Sequence, residues 1–181
     1  MNKGKPTELD QLESTKVAQA VRHLNLKYVV LTSVARDDLR DHGAILFTST
    51  IDEIRKINPS IKIEVLTPDL WGGGKNLQER EELQRKRLKK ILDKKPVCFN
   101  HNLETVERLQ REVRRGANYK SSINLLKISK DIYPTIETKS GIMLGLGESL
   151  EEIKNTIEDL KEVNCNQLTI CLLYTSPSPR D

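Results

Sequence analysis

Short β-rich runs alternating with longer amphipathic stretches are what most narrow the folds open to this chain. KYVVLTS (Lys27 to Ser33) and IKIEVL (Ile61 to Leu66) are short and rich in β-branched residues, as buried or half-buried strands require. Around them, apolar residues recur at helical spacing. Val17, Ala20, Val21 and Leu24 mark a helix from about Ser14 to Leu24, and Phe47, Ile51 and Ile54 mark one from about Gly43 to Ile57 that Asn58-Pro59 ends. PVCF (96–99) reads as a third strand, TIETKSGIML contains a fourth, and QLTI (167–170) is a fifth. Helices are expected over about Val106 to Val113 and Ser122 to Ile132. Another follows Ser149, where Ser149 and Glu152 form a capping box ahead of Ile153, Ile157 and Leu160. Strands and helices in this order predict an α/β fold of parallel βα units sharing a sheet or barrel.

At 181 residues, with 36% hydrophobic and 31% charged residues, the chain can build one domain with a real core and reads as soluble and globular. No apolar run approaches the roughly 20 residues that span a bilayer, and no N-terminal stretch has signal-peptide character. The three cysteines, Cys98, Cys165 and Cys171, make neither a disulfide ladder nor a CxxC pair. A reducing, cytoplasmic setting is therefore expected.

The net charge of +4 has one main source. Between Lys75 and Lys95 nine Lys/Arg face four Asp/Glu, a surplus of five that leaves the remainder at −1. Acids come early there (Glu79, Glu81, Glu82) and bases late, which suits the dipole of a helix whose apolar edge is Leu88, Ile91 and Leu92. A solvated helix face is the expectation. Use of residues 75–95 as a basic nucleic-acid-binding module is the alternative, although no aromatic residue is interleaved with the bases for stacking.

In parallel βα folds the chemistry collects at the carboxyl ends of the strands. Those ends carry TSVARDD (32–38), TPD (67–69), NHNLE (100–104) and GLGE (145–148), all polar or glycine-rich, and a single polar rim is expected. Asn100, Asn102 and Glu104 offer amide and carboxylate groups suited to ribose hydroxyls. Asn102 and Glu104 could equally cap the helix that follows. His101 reads as packed or solvent-facing. The glycines of GIMLGLGE lack the spacing of a P-loop or a dinucleotide fingerprint and allow close backbone approach, either for a flat ring or for a tight turn. Arg36 to Asp41 reads as charges that pair with one another. No His, Asp, Glu or Cys trio has metal-ligand spacing. His23 and His42 receive no role.

Together, YVVLTSVARDDLRDHGA, IEVLTPD, FNHNLETVERL, VRRGANY and TKSGIMLGLGE resemble the lipoyl synthases, a family of radical S-adenosylmethionine (SAM) enzymes, in the family's order from Gly4 to Ile170. WGGG and the long basic helix match a longer subgroup. The resemblance implies a partial (βα) radical-SAM-type barrel, lacking the first strand and the C-terminal segment, that in the intact protein serves SAM and two [4Fe–4S] clusters. It implies formation of a deoxyadenosyl radical that removes hydrogen from an octanoyl chain on a carrier-protein lysine, with an auxiliary cluster supplying two sulfurs. An octanoylated lipoyl carrier domain or protein and an electron donor such as ferredoxin or flavodoxin are the implied partners, with no nucleic acid or membrane. By the same resemblance Asn100 and Glu104 hold the ribose, Thr32 and Ser33 face the methionyl part, and Lys139 meets its carboxylate. Backbone from Gly141 to Gly145 flanks the adenine. A biotin-synthase-like sulfur inserter is the nearest rival, disfavoured by NHNLET together with TKSGIMLGLGE.

The family's CxxxCxxC motif is not found in this chain, and Cys98 and Cys165, expected on buried strand positions, cannot replace three thiolates on one loop. The chain is thus expected to be a fragment that holds no cluster and, with exposed sheet edges, is poorly soluble. Residues 1–170 are read as the partial barrel core. Residues 171–181, CLLYTSPSPRD, are read as a non-native tail resembling translated sequencing adapter. Arg115 and Asn118 stand where the family usually has proline and aspartate.

Overall fold

The computed structural model describes residues 9–114 and 116–173, so the departure at Arg115 and most of the 171–181 tail lie outside the described residues. The chain divides into two compact units, Met1–Phe99 and Asn100–Asp181, and the division falls inside the third strand.

In the first unit the elements are α1 (Glu13–His23), β1 (Tyr28–Thr32), α2 (Ala44–Ile57), β2 (Lys62–Leu66), α3 (Leu77–Leu92) and the start of β3 (Cys98–Asn100). β1 and β2 run parallel, with Val30 opposite Glu64 and Thr32 opposite Leu66. Ala18 and Val21 of α1 and Phe47, Ile51 and Ile54 of α2 are buried, as their spacing requires. Ser14 joins the two helices through hydroxyl contacts to Ser49 (2.9 Å) and Thr50 (3.0 Å). Gly43 enters α2 with φ +85°, and the Asp41 carboxylate accepts from the Ile45 amide at 2.6 Å, satisfying a free N–H of the first turn.

Helix α3 is capped by Asn76, whose side chain accepts from Glu79 N at 2.9 Å. Leu88, Ile91 and Leu92 are fully buried, whereas Lys86 and Lys89 lie on solvent beside Glu82 (2.7 Å) and Asp93 (2.6 Å). The basic stretch is thus an amphipathic helix with a solvated charged face. Tyr28 and Val30 of β1 remain 45% and 46% exposed, so this terminal strand shows apolar side chains to solvent.

The second unit begins with the last residue of β3 and continues through a 3-10 turn (Glu107–Leu109), α4 (Gln110–Val113), α5 (Tyr119–Ile132), β4 (Glu137–Leu144), α6 (Leu150–Glu162) and β5 (Gln167–Leu172). β4 and β5 are parallel, with Gly141 opposite Thr169. Two expectations shift here. The helix over Val106 to Val113 is a 3-10 turn followed by one α-turn, and α5 starts three residues early because Asn118 caps it, accepting from Ser121 N at 3.1 Å. Cys165 is not a strand residue: it sits half-buried in the turn before β5, its thiol 3.4 Å from the Gln167 carbonyl.

The capping box ahead of α6 is complete. Glu152 N donates to Ser149 Oγ (3.2 Å), and Ser149 N donates to Glu152 Oε2 (2.8 Å). Arg108 adds a two-pronged contact to the same carboxylate (2.6 and 3.1 Å) and reaches the Gly147 carbonyl at 2.8 Å. Arg108 first, and then the Ser149 amide, hold the Glu152 carboxyl at about 2 against an ordinary 4.5. A depressed carboxyl stabilises the fold above its ordinary value and loses that contribution as pH falls toward about 2. Carboxyl-detected NMR titration should find Glu152 near 2 and, in Arg108→Ala, moved up toward 4.5. An ordinary value in the unaltered chain would contradict this arrangement.

Candidate functional site

In the second unit the end of β3 is docked onto β4. His101 N donates to Lys139 O (3.0 Å), Glu104 N to Gly141 O (2.9 Å) and Met143 N to Glu104 O (2.8 Å). The last two form a parallel bridge from Glu104 to Ile142, and Glu104 achieves it in the left-handed region, at φ +68°. Such a conformation costs roughly 1–3 kcal/mol in a non-glycine residue and persists only when its surroundings impose it. Gln110 helps to impose it, donating from Nε2 to the Leu103 carbonyl (2.6 Å) and the Thr105 carbonyl (3.0 Å) on either side.

Alternation sends His101 and Leu103 to one side, where both are fully buried. His101 Nε2 lies within hydrogen-bond distance of Ser122 Oγ (3.0 Å), and that hydroxyl accepts from Arg114 at 2.9 Å. His101 is therefore a packed anchor between β3 and α5. Asn100 and Asn102 take the other side, with Lys139, Gly141 and Met143 of β4 on the matching face. Asn100 is 5% exposed, while Asn102, Glu104 and Lys139 are half-buried.

Asn102 caps no helix, since the next one starts at Glu107. Its amide instead covers Gly141: a Cβ built on that glycine would lie 2.8 Å from Asn102 Oδ1. Gly145 is equally constrained, with φ +105° and a would-be Cβ 2.7 Å from the Leu173 carbonyl. The Glu148 carboxylate folds back to accept from Gly145 N (2.6 Å) and Leu146 N (2.9 Å). Burial works against the ionised form there, but the amides of Gly145, Glu148 and Leu146 hold this carboxyl below its ordinary value. Asn100 thus ends β3 and Glu104 follows it, while Lys139 and Gly141 lie within β4 and Gly145 directly follows that strand.

Thr32 and Ser33 belong to the first unit, where with Val17, Arg36 and Phe47 they line a cavity of about 310 Å³. Arg36 pairs with Asp38 through Nε (2.8 Å) and Nη2 (2.7 Å), the self-pairing expected of RDDLRD. Sequence reasoning missed Gln110 and the covering role of Asn102, and placed Glu148 on the polar rim without its contacts to Gly145 N and Leu146 N. Only Glu148, three residues after Gly145, had a local signal.

The chain's cysteines do not fit an iron–sulfur cluster. Cys98 is buried in β3, Cys165 is in a turn and Cys171 is exposed on β5. Among the described residues no three His, Cys, Asp or Glu side chains converge as ligands. No helix among them is long and apolar enough to cross a membrane.

The Radical SAM superfamily model matches residues 1–160, and the chain belongs to that superfamily. Solved structures agree on the fold. Methylornithine synthase (PylB) superposes with a TM-score of 0.69 at 14% identity, covering 96% of this chain and 47% of that one. SuiB from Streptococcus suis, bound to S-adenosylmethionine, gives 0.63 at 14% identity, covering 98% and 37%.

Within the superfamily the sequence is similar to lipoyl synthases. It is 71% identical over 170 residues to lipoyl synthase 2 of Prochlorococcus marinus subsp. pastoris, covering 94% of this chain and 57% of the relative. Lipoyl synthase 2 of Nostoc sp. is 52% identical, covering 91% and 54%, and the lipoyl synthase of Actinobacillus pleuropneumoniae serotype 5b is 48% identical, covering 97% and 50%. The chain spans about half the length of the curated relatives it matches.

Replacing Gly141 by alanine should displace Asn102 and cost about 1–3 kcal/mol, read as a lowered thermal midpoint. Adding Asn102→Ala should recover part of the loss, so that the double variant costs less than the two single changes summed. Simple additivity would show that the two residues do not constrain one another.

Proposed function

We propose that the protein to which this chain belongs is a lipoyl synthase, a sulfurtransferase that inserts two sulfurs into an octanoyl group held on a carrier-protein lysine. The observation that carries this reading is the 71% identity over 170 residues to a curated lipoyl synthase. The motifs at the ends of β3 and β4 support it, since they supply groups suited to a nucleoside. In this reading the protein works in the cytoplasm on an octanoylated carrier domain, with ferredoxin or flavodoxin as electron donor. SAM and two [4Fe–4S] clusters, when bound to the whole protein, supply the radical and sulfur chemistry. Because the cysteines of this chain fit no cluster, we assign the cluster ligands to parts of the protein outside residues 1–181.

The residues of this chain bind and orient. Asn100 and Glu104 hold the ribose: a carboxylate accepts from both vicinal hydroxyls, and an amide can donate to one and accept from the other. The left-handed backbone at Glu104 aims that carboxylate, and Lys139 answers the amino-acid carboxylate of the same ligand. Backbone from Gly141 to Gly145 flanks the adenine in this reading, with Asn102 packed on Gly141. Tight location of the ligand matters because a radical must meet an unactivated C–H bond before it meets water.

In the full-length protein, Glu104→Gln should weaken SAM binding at least about tenfold while leaving the fold intact, since hydrogen bonds to a charged partner contribute about 1.5–3 kcal/mol. Calorimetry on SAM measures it, and undiminished binding and cleavage would remove Glu104 from this role. Mass spectrometry of an octanoylated carrier incubated with the reduced full-length protein and SAM tests the function. A carrier that gains no sulfur would overturn it.

A further inference from the structure

A cavity of about 680 Å³ lies inside the first unit, between the loops that follow β1 and β2, and the function proposed above makes no use of it. Arg87 of α3, 5% exposed, ties those loops together. Its Nη1 donates to the Leu70 carbonyl (2.8 Å) and the Gly72 carbonyl (3.0 Å), and its Nη2 donates to the Arg40 carbonyl (3.1 Å). Burial lowers the pKa of the guanidinium and Asp41 raises it, yet an arginine remains charged in proteins. Among the described residues no carboxylate forms an ion pair with Arg87, so its hydrogen-bond partners are carbonyls, with the Nε hydrogen and one Nη2 hydrogen left over.

His42 stands nearby, 7% exposed, with Nδ1 3.4 Å from the Asp37 carboxylate. The two glycines after Trp71 determine what faces these groups. A Cβ on Gly72 would lie 3.0 Å from His42 Cε1 and 3.5 Å from Nε2, and one on Gly73 would lie 3.1 Å from Arg87 Nη2. With no side chain at either position, the backbone of residues 72–73 packs closely against both groups, and His42 and Arg87 still line the cavity. Trp71, Leu39 and Leu83 provide apolar wall. Of the two carboxylates at the rim, Asp38 is engaged by Arg36 and Asp37 faces His42.

We propose that this cavity binds a small organic carboxylate, its head between Arg87 Nη2 and His42 Nε2 and its short apolar stem along Trp71 and Leu83. An oxyanion there gives the guanidinium the charged partner it lacks, in a setting where charge-assisted bonds are strong. Burial first, and then Arg87, hold the His42 imidazole below its ordinary pKa against the opposing pull of Asp37 and Asp41, so the neutral ring meets the ligand as a hydrogen-bonding group.

Trp71 is the only tryptophan of the chain, so its emission reports on the cavity directly. Butyrate is titrated into the 181-residue chain, with inorganic phosphate and chloride in parallel. The expected result is a saturable change with butyrate. Affinity should fall at least about tenfold in Arg87→Lys, which loses the fork geometry, and measurably in His42→Asn, because asparagine tolerates the left-handed backbone of position 42. Near-ultraviolet circular dichroism identifies a variant that has lost its packing, and His42→Asn then decides alone. The proposal is overturned if butyrate produces no saturable change, if His42→Asn binds as tightly as the unaltered chain, or if phosphate or chloride binds as well as butyrate.

Discussion

The Asn102 amide lies where any side chain on Gly141 would have to be, and the docking of the segment after β3 onto β4 depends on that contact. With a bare glycine at 141, the segment after β3 comes close enough for Glu104 N to reach Gly141 O and for Met143 N to reach Glu104 O. Those two bonds place Glu104 in a left-handed conformation that it would not hold alone. Gln110 beneath the turn and His101 against Ser122 secure the same segment from the helix side. The Glu104 carboxylate is thus carried by backbone that is already paired.

The first unit uses a related device with different chemistry. A buried arginine draws three carbonyls from two loops onto one guanidinium, and left-handed backbone at His42, Leu70, Gly72 and Gly73 makes the convergence possible. In both units the strands are regular and the specificity lies in the turns after them. Loops carry function on a rigid scaffold, and here each such loop is held by one polar side chain reaching in from a helix: Gln110 of α4 in one unit, Arg87 of α3 in the other.

Most of the fold was legible because it rests on local periodicity. The five strands and the long helices follow from apolar spacing, and the capping box from two residues three apart. The broken helix after Val106 was not legible, because its apolar spacing suits a helix while the structure there alternates between 3-10 and α turns. Cys165 was misplaced because a turn closed by Asn164 at φ +56° leaves no periodic trace.

Of the site, residue types were legible and their partners were not. Asn100 and Glu104 stood out as polar groups ending an apolar run. That Asn102 would cover Gly141, or that Arg87 would leave an apparently solvated basic helix to bind Leu70 and Arg40, depends on contacts between residues far apart in sequence. The bases of that helix look alike in the sequence, and only the fold separates Arg87 from its exposed neighbours.

The central claim is that the end of β3 is held against β4 before any ligand arrives. Amide hydrogen exchange at Glu104 and Met143, measured on the chain alone, tests it most directly. Strong protection at both amides, comparable to that in the middle of β4, is the predicted result. Exchange at the rate of an unstructured peptide would contradict it, because Glu104 would then have no fixed place against β4.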